Sequence, residues 1–344
     1  MILPVSPAPL SPADEAALAE LYRRGTPPNT IRAWERDLAF ISAWKRAAFG
    51  APLAWPEAEG VALRFILDHS VDLTNKPGPA QAAAQALIAA GLRRSLACPA
   101  PATLDRRIAS WRAFHRMKNL PSPFEAPLIA EARGRARRAA ARPPAPKSAQ
   151  PITREVLEAM LATCDGSHRG LRDRAALMLG WASGGRRRSE IVALNRDDLD
   201  LGEWAEKGLL RLRLLSTKTT GPSQAPRLPL KGRAARALLD WLRLARIEDG
   251  PLFRPVSLSG RVLRRRLTPE GLRGIVRHRL DLAGYPPGFA SAHGLRAGFL
   301  TQAALDGAPL QAAMQLSLHR SAAQAQRYYA DVEIADNPAA DLLG

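Results

Sequence analysis

Over the first 140 or so residues, apolar side chains recur every three to four positions, the period of an amphipathic helix. Ser11-Pro12 sets an N-cap residue before a proline at the first helical position, which predicts an Ala- and Leu-rich helix to about Arg24. Thr30 is expected to cap a second helix with Ile31, Trp34, Leu38, Ile41 and Trp44 on one stripe. Helices over 57–69 and 79–96 follow. Thr103 is expected to cap another, in which Leu104, Ile108, Trp111 and His115 share a face. The opposite side of that helix shows Arg106, Arg107, Arg112 and Arg116, a basic face that is either simply solvated or in contact with phosphate.

The periodicity breaks at residues 133–149 (RGRARRAAARPPAPKSA), where an Arg-rich helix end runs into prolines and small polar residues. Pro-Pro disfavours continued helix, so a basic linker is expected over 143–150. The remainder mixes periods. Helices are predicted over 153–164, 171–183 and 187–195, then a half-buried strand over 208–215 in which Leu210, Leu212 and Leu214 alternate with Arg211 and Arg213. A turn at 216–224 and a return strand over 225–230 complete a hairpin. Helices resume over 232–246, 269–284, 296–306 and 309–317, and Ser321 is expected to cap a short one carrying Tyr328. The predicted fold is mainly α with a small antiparallel β-sheet (α+β), divided into an all-helical domain 1–142, the linker 143–150 and a mixed domain 151–344.

Charge adds a partner to this outline. The 344 residues carry a formal net charge of +18. It is shared evenly, with 21 Lys and Arg against 12 Asp and Glu in residues 1–150, and 29 against 20 in the rest. Two basic domains in one chain suit a polyanion held between them, because neutralised phosphates release condensed counterions. A merely soluble basic protein, or one adapted to an acidic membrane surface, remains the alternative on charge alone. No stretch approaches the roughly 20 apolar residues that span a bilayer. The N-terminus lacks a basic segment followed by an apolar one, so no secretion signal is expected and the cytoplasm is the expected location. Cys98 and Cys164 lack metal-ligand spacing and read as buried thiols in a reducing compartment.

Four segments of the second half offer chemistry. Residues 184–194 (GGRRRSEIVAL) place three arginines before Ser189-Glu190 and an apolar run. Thr217-Lys218-Thr219-Thr220 lies at the tip of the predicted hairpin. His293 and Arg296, three apart, face one side of a helix start. His319 is followed nine residues later by Tyr328 and Tyr329, two of only four tyrosines. Each alone is ordinary: a basic loop, a solvated lysine, a chance HxxR, a pair of core aromatics.

Their order, Arg, Lys, HxxR, His and Tyr, resembles the tyrosine recombinase (phage integrase) family over nearly the whole chain, strongly in 151–344 and only as a pattern in the helical half. The resemblance implies a SAM-like core-binding domain followed by a catalytic domain, acting on double-stranded DNA. It assigns the catalytic set to Arg187 (selected over its neighbours by Ser189-Glu190), Lys218, His293, Arg296, His319 and Tyr328. Arg186 and Arg188 are then expected on the DNA backbone together with Arg106, Arg107, Arg112 and Arg116, Glu190 as a brace, and Tyr329 in packing. Two guanidiniums clamp a phosphate whose non-bridging oxygens gain charge in the transition state. A tyrosine hydroxyl ionises near pH 10 and needs a nearby base or positive charge to act as nucleophile, and Lys218 would protonate the departing oxygen. A phosphotyrosine keeps the energy of the broken bond, so no cofactor and no metal is expected, in keeping with the absence of a GxxxxGK[ST] loop or zinc spacing. The family also implies four protomers on two duplexes, a homo-tetramer or a hetero-tetramer with a paralogue. An idle DNA-binding protein of the same fold and a type IB topoisomerase-like enzyme are the competing readings. The family often has glycine before the second histidine; Leu318 stands here, so that turn is expected to avoid backbone geometry that only glycine tolerates.

Overall fold

The computed structural model describes residues 11–141, 148–214 and 225–333. The chain divides into two compact units, Met1–Pro144 and Ala145–Gly344. Among the described residues no helix is long and apolar enough to cross a membrane.

The first unit is all helical: α1 (Pro12–Gly25), α2 (Pro28–Phe49), α3 (Glu59–Asp68), α4 (Pro79–Ala89), α5 (Pro101–Met117) and α6 (Pro127–Ala139). The Ser11 hydroxyl accepts from the Asp14 amide, capping α1. Two other starts differ from expectation. Helix α2 begins at Pro28 after Pro27, and α5 begins at Pro101 after Ala100, so Thr30 and Thr103 lie inside the first turns. Proline at the first helical position has φ already set and no amide to satisfy, and here it outranks a side-chain cap. Helix α4 stops at Ala89 because Gly91 (φ +69°) turns left-handed and the Leu92 amide closes back on Leu87. The core gathers Phe40, Ile41 and Trp44 of α2, Phe65 and Ile66 of α3, and Ile108 and Trp111 of α5. His69, 1% exposed, stacks among Phe40, Trp44 and Phe65 and bonds the Phe65 carbonyl through Nδ1.

The arginines of α5 do not form one basic face. At 100° per residue, Arg107 and Arg112 flank the buried stripe on its two sides. Arg107 lies with its guanidinium 3.3 Å from the centre of the Phe40 ring, and burial pushes its pKa down to about 10. Arg112 faces Glu125 at 3.6 Å. Arg106 is tied to both carboxylate oxygens of Asp37, which also accepts from Ser110. Of the four, Arg107 is a packing residue rather than a surface cation, because its stem and head cover apolar core.

The second unit opens with α7 (Arg154–Ala162), α8 (His168–Ala182) and α9 (Arg188–Ala193). A three-stranded antiparallel sheet follows, in the order β1 (Leu199–Asp200), β2 (Leu209–Arg213), β3 (Arg227–Lys231), with a short α10 (Trp204–Lys207) between the first two strands. The strand β1 is two residues long, too short for an alternating pattern to reveal. In the register Leu210↔Leu230 and Leu212↔Leu228, the leucines fill one buried face, and Pro229 falls on the edge strand, where its missing amide is tolerated. Then come α11 (Gly232–Leu244), which packs on α8, and α12 (Pro269–Leu282), α13 (Gly294–Leu305), α14 (Leu310–Ser317) and α15 (Ala322–Glu333). The main core joins α7, α8, α11, α12 and the sheet, and a smaller cluster of Phe299, Leu300, Ala313 and Tyr329 joins α13, α14 and α15.

Of the linker expected over 143–150, residues 143–147 lie outside the described residues; Ser148 is buried, and Ala149 and Gln150 are exposed. The Ser148 hydroxyl accepts from the Ser291 amide at 2.9 Å, and the Gln150 amide donates to the Phe289 carbonyl at 2.9 Å. Cys164 is buried and Cys98 only half-buried.

Candidate active site

The site is assembled where α8 turns into α9. Gly184 and Gly185 are both left-handed, at φ +94° and +68°. A Cβ on Gly184 would sit 2.2 Å from the Leu316 carbonyl oxygen, and one on Gly185 would sit 2.4 Å from the Arg296 Cα. Only glycine lets this loop press against both the start of α13 and the end of α14. The next three residues are arginines, and the loop sends them to different places.

Arg187 is the N-cap of α9. Its amide donates to Glu190 Oε2 at 3.2 Å and its Nη1 donates to Glu190 Oε1 at 2.6 Å, so one carboxylate takes both bonds and fixes the side chain while leaving it partly open to solvent. Arg188 reaches Glu270 at 3.2 Å on the surface. Arg186 is 1% exposed. Arg186 is thus turned inward rather than presented on the surface to a DNA backbone, and its Nη2 donates to the Leu316 carbonyl at 2.8 Å. The two residues that flank Arg187 in sequence lie on opposite sides of the surface.

Helix α13 supplies the next pair. His293 is its N-cap and Arg296 lies one turn on, 3% exposed. Arg296 Nη1 donates to the Gly185 carbonyl at 3.1 Å, which locks α13 to the arginine loop. Burial first, then the charges of Arg186 and Arg187, push the Arg296 pKa down to about 10, so it stays cationic at neutral pH. Its Nη2 donates to His319 Nδ1 at 3.0 Å, and the Ser317 hydroxyl is 2.8 Å from the same nitrogen. Arg296 Nε also donates toward His319 Nε2 at 3.3 Å, so the guanidinium faces both ring nitrogens and a neutral ring accepts at one of them. Burial, followed by Arg296, pushes His319 down to about 4, so the ring is neutral at pH 7.

Helix α15 brings in the two tyrosines, and adjacent helical residues point about 100° apart. Tyr329 is 3% exposed in the small core and its hydroxyl donates to the Ala308 carbonyl at 3.1 Å. Tyr328 turns the other way, with its hydroxyl 3.3 Å from His293 Nε2 and its ring near His319. Arg187, His293, Arg296, His319 and Tyr328 are therefore brought together. Lys218 lies outside the described residues.

A cleft of about 380 Å³ opens beside them, lined by Arg187, Arg188, Arg273, His293 and Arg296. Arg273 carries no sequence signal, being one exposed arginine on the polar side of α12, and it is paired with Glu270 at 3.0 Å. Such an array of guanidiniums with a neutral imidazole and one phenol can hold an oxyanion and present a nucleophile to it. Among the described residues no group of three or more His, Cys, Asp or Glu side chains is placed to hold a metal ion.

The turn before His319 departs from expectation. Leu318 sits at φ +55°, ψ +40°, the left-handed geometry it was expected to avoid. Its side chain packs on the main core, and that packing holds the residue in a conformation costing about 1–2 kcal/mol for a residue with a Cβ.

Residues 150–333 match the model of the phage integrase family. The integrase/recombinase xerD homolog of Selenomonas ruminantium is 32% identical over 164 residues, 46% of this chain; the match spans about half that relative, 47% of its length. The tyrosine recombinase XerD of Xanthomonas axonopodis pv. citri (strain 306) is 28% identical over 341 residues, 93% of this chain and 94% of that one. Among solved structures, the Tn1549 transposon integrase in complex with transposon right end DNA shares the fold at a TM-score of 0.57 and 16% identity, covering 94% of this chain and 97% of that one. The chain belongs to the phage integrase family.

Proposed function

We propose that this chain is a site-specific recombinase that cuts and rejoins duplex DNA through a 3′-phosphotyrosyl bond at Tyr328. The observation that carries the reading is that the Tyr328 hydroxyl lies 3.3 Å from His293 Nε2, and that His293 lines a cationic cleft with Arg187 and Arg296, the latter bonded to His319. Relatives named as tyrosine recombinases, and a structural neighbour bound to transposon DNA, support it.

In the proposed reaction the scissile phosphate enters the cleft and its non-bridging oxygens meet Arg187 and Arg296, with His319 as a neutral hydrogen-bonding neighbour. Tyr328 Oη forms a bond to phosphorus, and its proton passes to His293 Nε2. These two atoms are 3.3 Å apart, close enough for a direct proton transfer once the hydroxyl is aligned on the phosphorus. The bond from phosphorus to the 5′-oxygen breaks, and Lys218 supplies that oxygen with a proton. A 5′-hydroxyl of the partner strand then attacks the phosphotyrosine and reverses each transfer. Arg106, Arg112, Arg116, Arg188 and Arg273 serve the flanking backbone, which positions the duplex without reading its sequence. Four protomers on two duplexes, in the cytoplasm, complete the reading.

A plasmid carrying two copies of the DNA that flanks this gene tests it. Incubation without ATP is expected to give products joined between the copies. Relaxation of supercoils regardless of sequence would place the chain with topoisomerase-like enzymes, and binding without strand exchange would make it an idle DNA-binding protein.

A further inference from the structure

Arg186 is the most deeply buried cation among the described residues of the second unit, and nothing in the proposed reaction uses it. Its Nη2 donates to the Leu316 carbonyl at 2.8 Å and approaches the Gly184 carbonyl at 3.3 Å. Its Nη1 lies 3.7 Å from Glu190 Oε2, so that one carboxylate is shared between Arg186 and Arg187. Its Nε is buried with no hydrogen-bond partner. Burial holds the guanidinium down to about 10, still charged at neutral pH.

An apolar side chain would fill this space without desolvating a cation or leaving a donor unpaired, each of which is unfavourable. The arginine gains in return three polar contacts, and they all fall on two segments. Gly184 belongs to the loop that carries Arg187, and Glu190 to the first turn of α9 directly after it. Leu316 belongs to the last turn of α14, whose carbonyls have no intrahelical partner. Beyond Leu316 the chain runs through Ser317, whose hydroxyl touches His319 Nδ1, and the left-handed Leu318 to His319 itself.

We propose that Arg186 is a positioning residue: by tying the Leu316 carbonyl to the carboxylate of Glu190, it fixes the distance between Arg187 and His319, two groups that the proposed reaction assigns to the phosphate. The left-handed Leu318 makes this tie necessary, since a strained turn relaxes unless its surroundings over-determine it. Arg186 never touches substrate. The inference rests on the reading of the cleft as a phosphate site, and its test separates the two.

The test compares the wild-type chain with Arg186→Met, His319→Ala and the double variant, each labelled with ¹⁵N-histidine. The His319 ring signals are identified by their loss in His319→Ala. In Arg186→Met those signals are expected to shift, and the ring to titrate closer to an ordinary histidine. On a nicked duplex made from the DNA flanking the gene, Arg186→Met is expected to slow single-turnover adduct formation about tenfold in the wild-type background and less than about twofold in the His319→Ala background, the non-additivity of residues acting through one another. Unmoved ring signals, or the same loss in both backgrounds, would overturn the proposal. Shifted ring signals with no adduct from any variant, wild type included, would leave the positioning role standing and remove the proposed reaction. Should Arg186→Met not fold, Arg186→Lys serves for both readouts: it keeps a charge beside Glu190 and one donor, and its effects are expected in the same direction but smaller, with unmoved ring signals again overturning the proposal.

Discussion

The Tyr328 hydroxyl lies 3.3 Å from His293 Nε2, while Tyr329, its neighbour on α15, is turned into the core and bonded to Ala308. One helix thus separates two chemically identical side chains by its pitch alone. His293 is held at the N-cap of α13, whose third residue, Arg296, bonds the Gly185 carbonyl, so the tyrosine, the histidine and the arginine loop form one mechanical unit.

The approach of α13 to the segment before α7 sets the position of that unit. A Cβ on Gly298 would lie 1.7 Å from the Ile152 carbonyl oxygen, backbone against backbone. Gly298→Ala is expected to destabilise the chain by about 3 kcal/mol or more, in the range of severe overpacking. Urea unfolding measures this; an unchanged midpoint would mean that α13 does not approach so closely.

Leu318 offers a comparison within one site. Leu318→Ala keeps the left-handed penalty and loses the packing, whereas Leu318→Gly loses the packing and the penalty together. The glycine variant is expected to be the more stable of the two by about 1 kcal/mol, the reverse of the usual order away from left-handed positions. Equal stabilities, or a more stable alanine variant, would contradict the geometry of this turn.

Stability should fall with acid in a defined window. Burial holds His69 at about 3, below its ordinary 6.5. Between those values the unfolded chain binds more protons than the folded one, so stability rises with pH across the window. It is complete above about 6.5 and lost progressively as pH falls toward 3. His319, at about 4, acts in the same direction, less strongly because its ring is only partly buried. In His69→Phe, whose ring suits the Phe40, Trp44 and Phe65 surroundings, the slope of unfolding free energy between pH 6.5 and 4 is expected to be shallower than in the wild type. An unchanged slope would show that His69 is not held neutral by burial.

Lys218 is tested through its leaving group. Lys218→Ala is expected to slow cleavage of an ordinary duplex, and the defect should shrink on a 5′-bridging phosphorothiolate, whose sulfur departs without a proton. The same defect on both substrates would argue against a general acid at this position.

Most elements were legible because long amphipathic helices declare themselves through their period, and the hairpin through the alternation of Leu210 and Leu212 with Arg211 and Arg213. What stayed hidden has local causes. An arginine inside a run of three reads as surface charge, and only the Gly184-Gly185 turn, which throws Arg186 inward against Leu316, reveals that it is buried. The α5 arginines looked like one face because the pattern shows which positions are polar but not which acids of other helices, Asp37 above all, will take them up. The geometry of Leu318 is set by tertiary packing, and no leucine announces it. The motif order placed His293, Arg296, His319 and Tyr328 in one reading, and they also share one place in the structure.

The measurement that bears most directly on the central claim is peptide mapping of a covalent protein–DNA adduct trapped on a nicked duplex. The adduct is expected on Tyr328, to vanish in Tyr328→Phe with DNA affinity nearly unchanged, and to persist in Tyr329→Phe, which should lose only about 1 kcal/mol of stability with its hydrogen bond to Ala308. An adduct that persists in Tyr328→Phe, or that maps to Tyr329, would contradict the account.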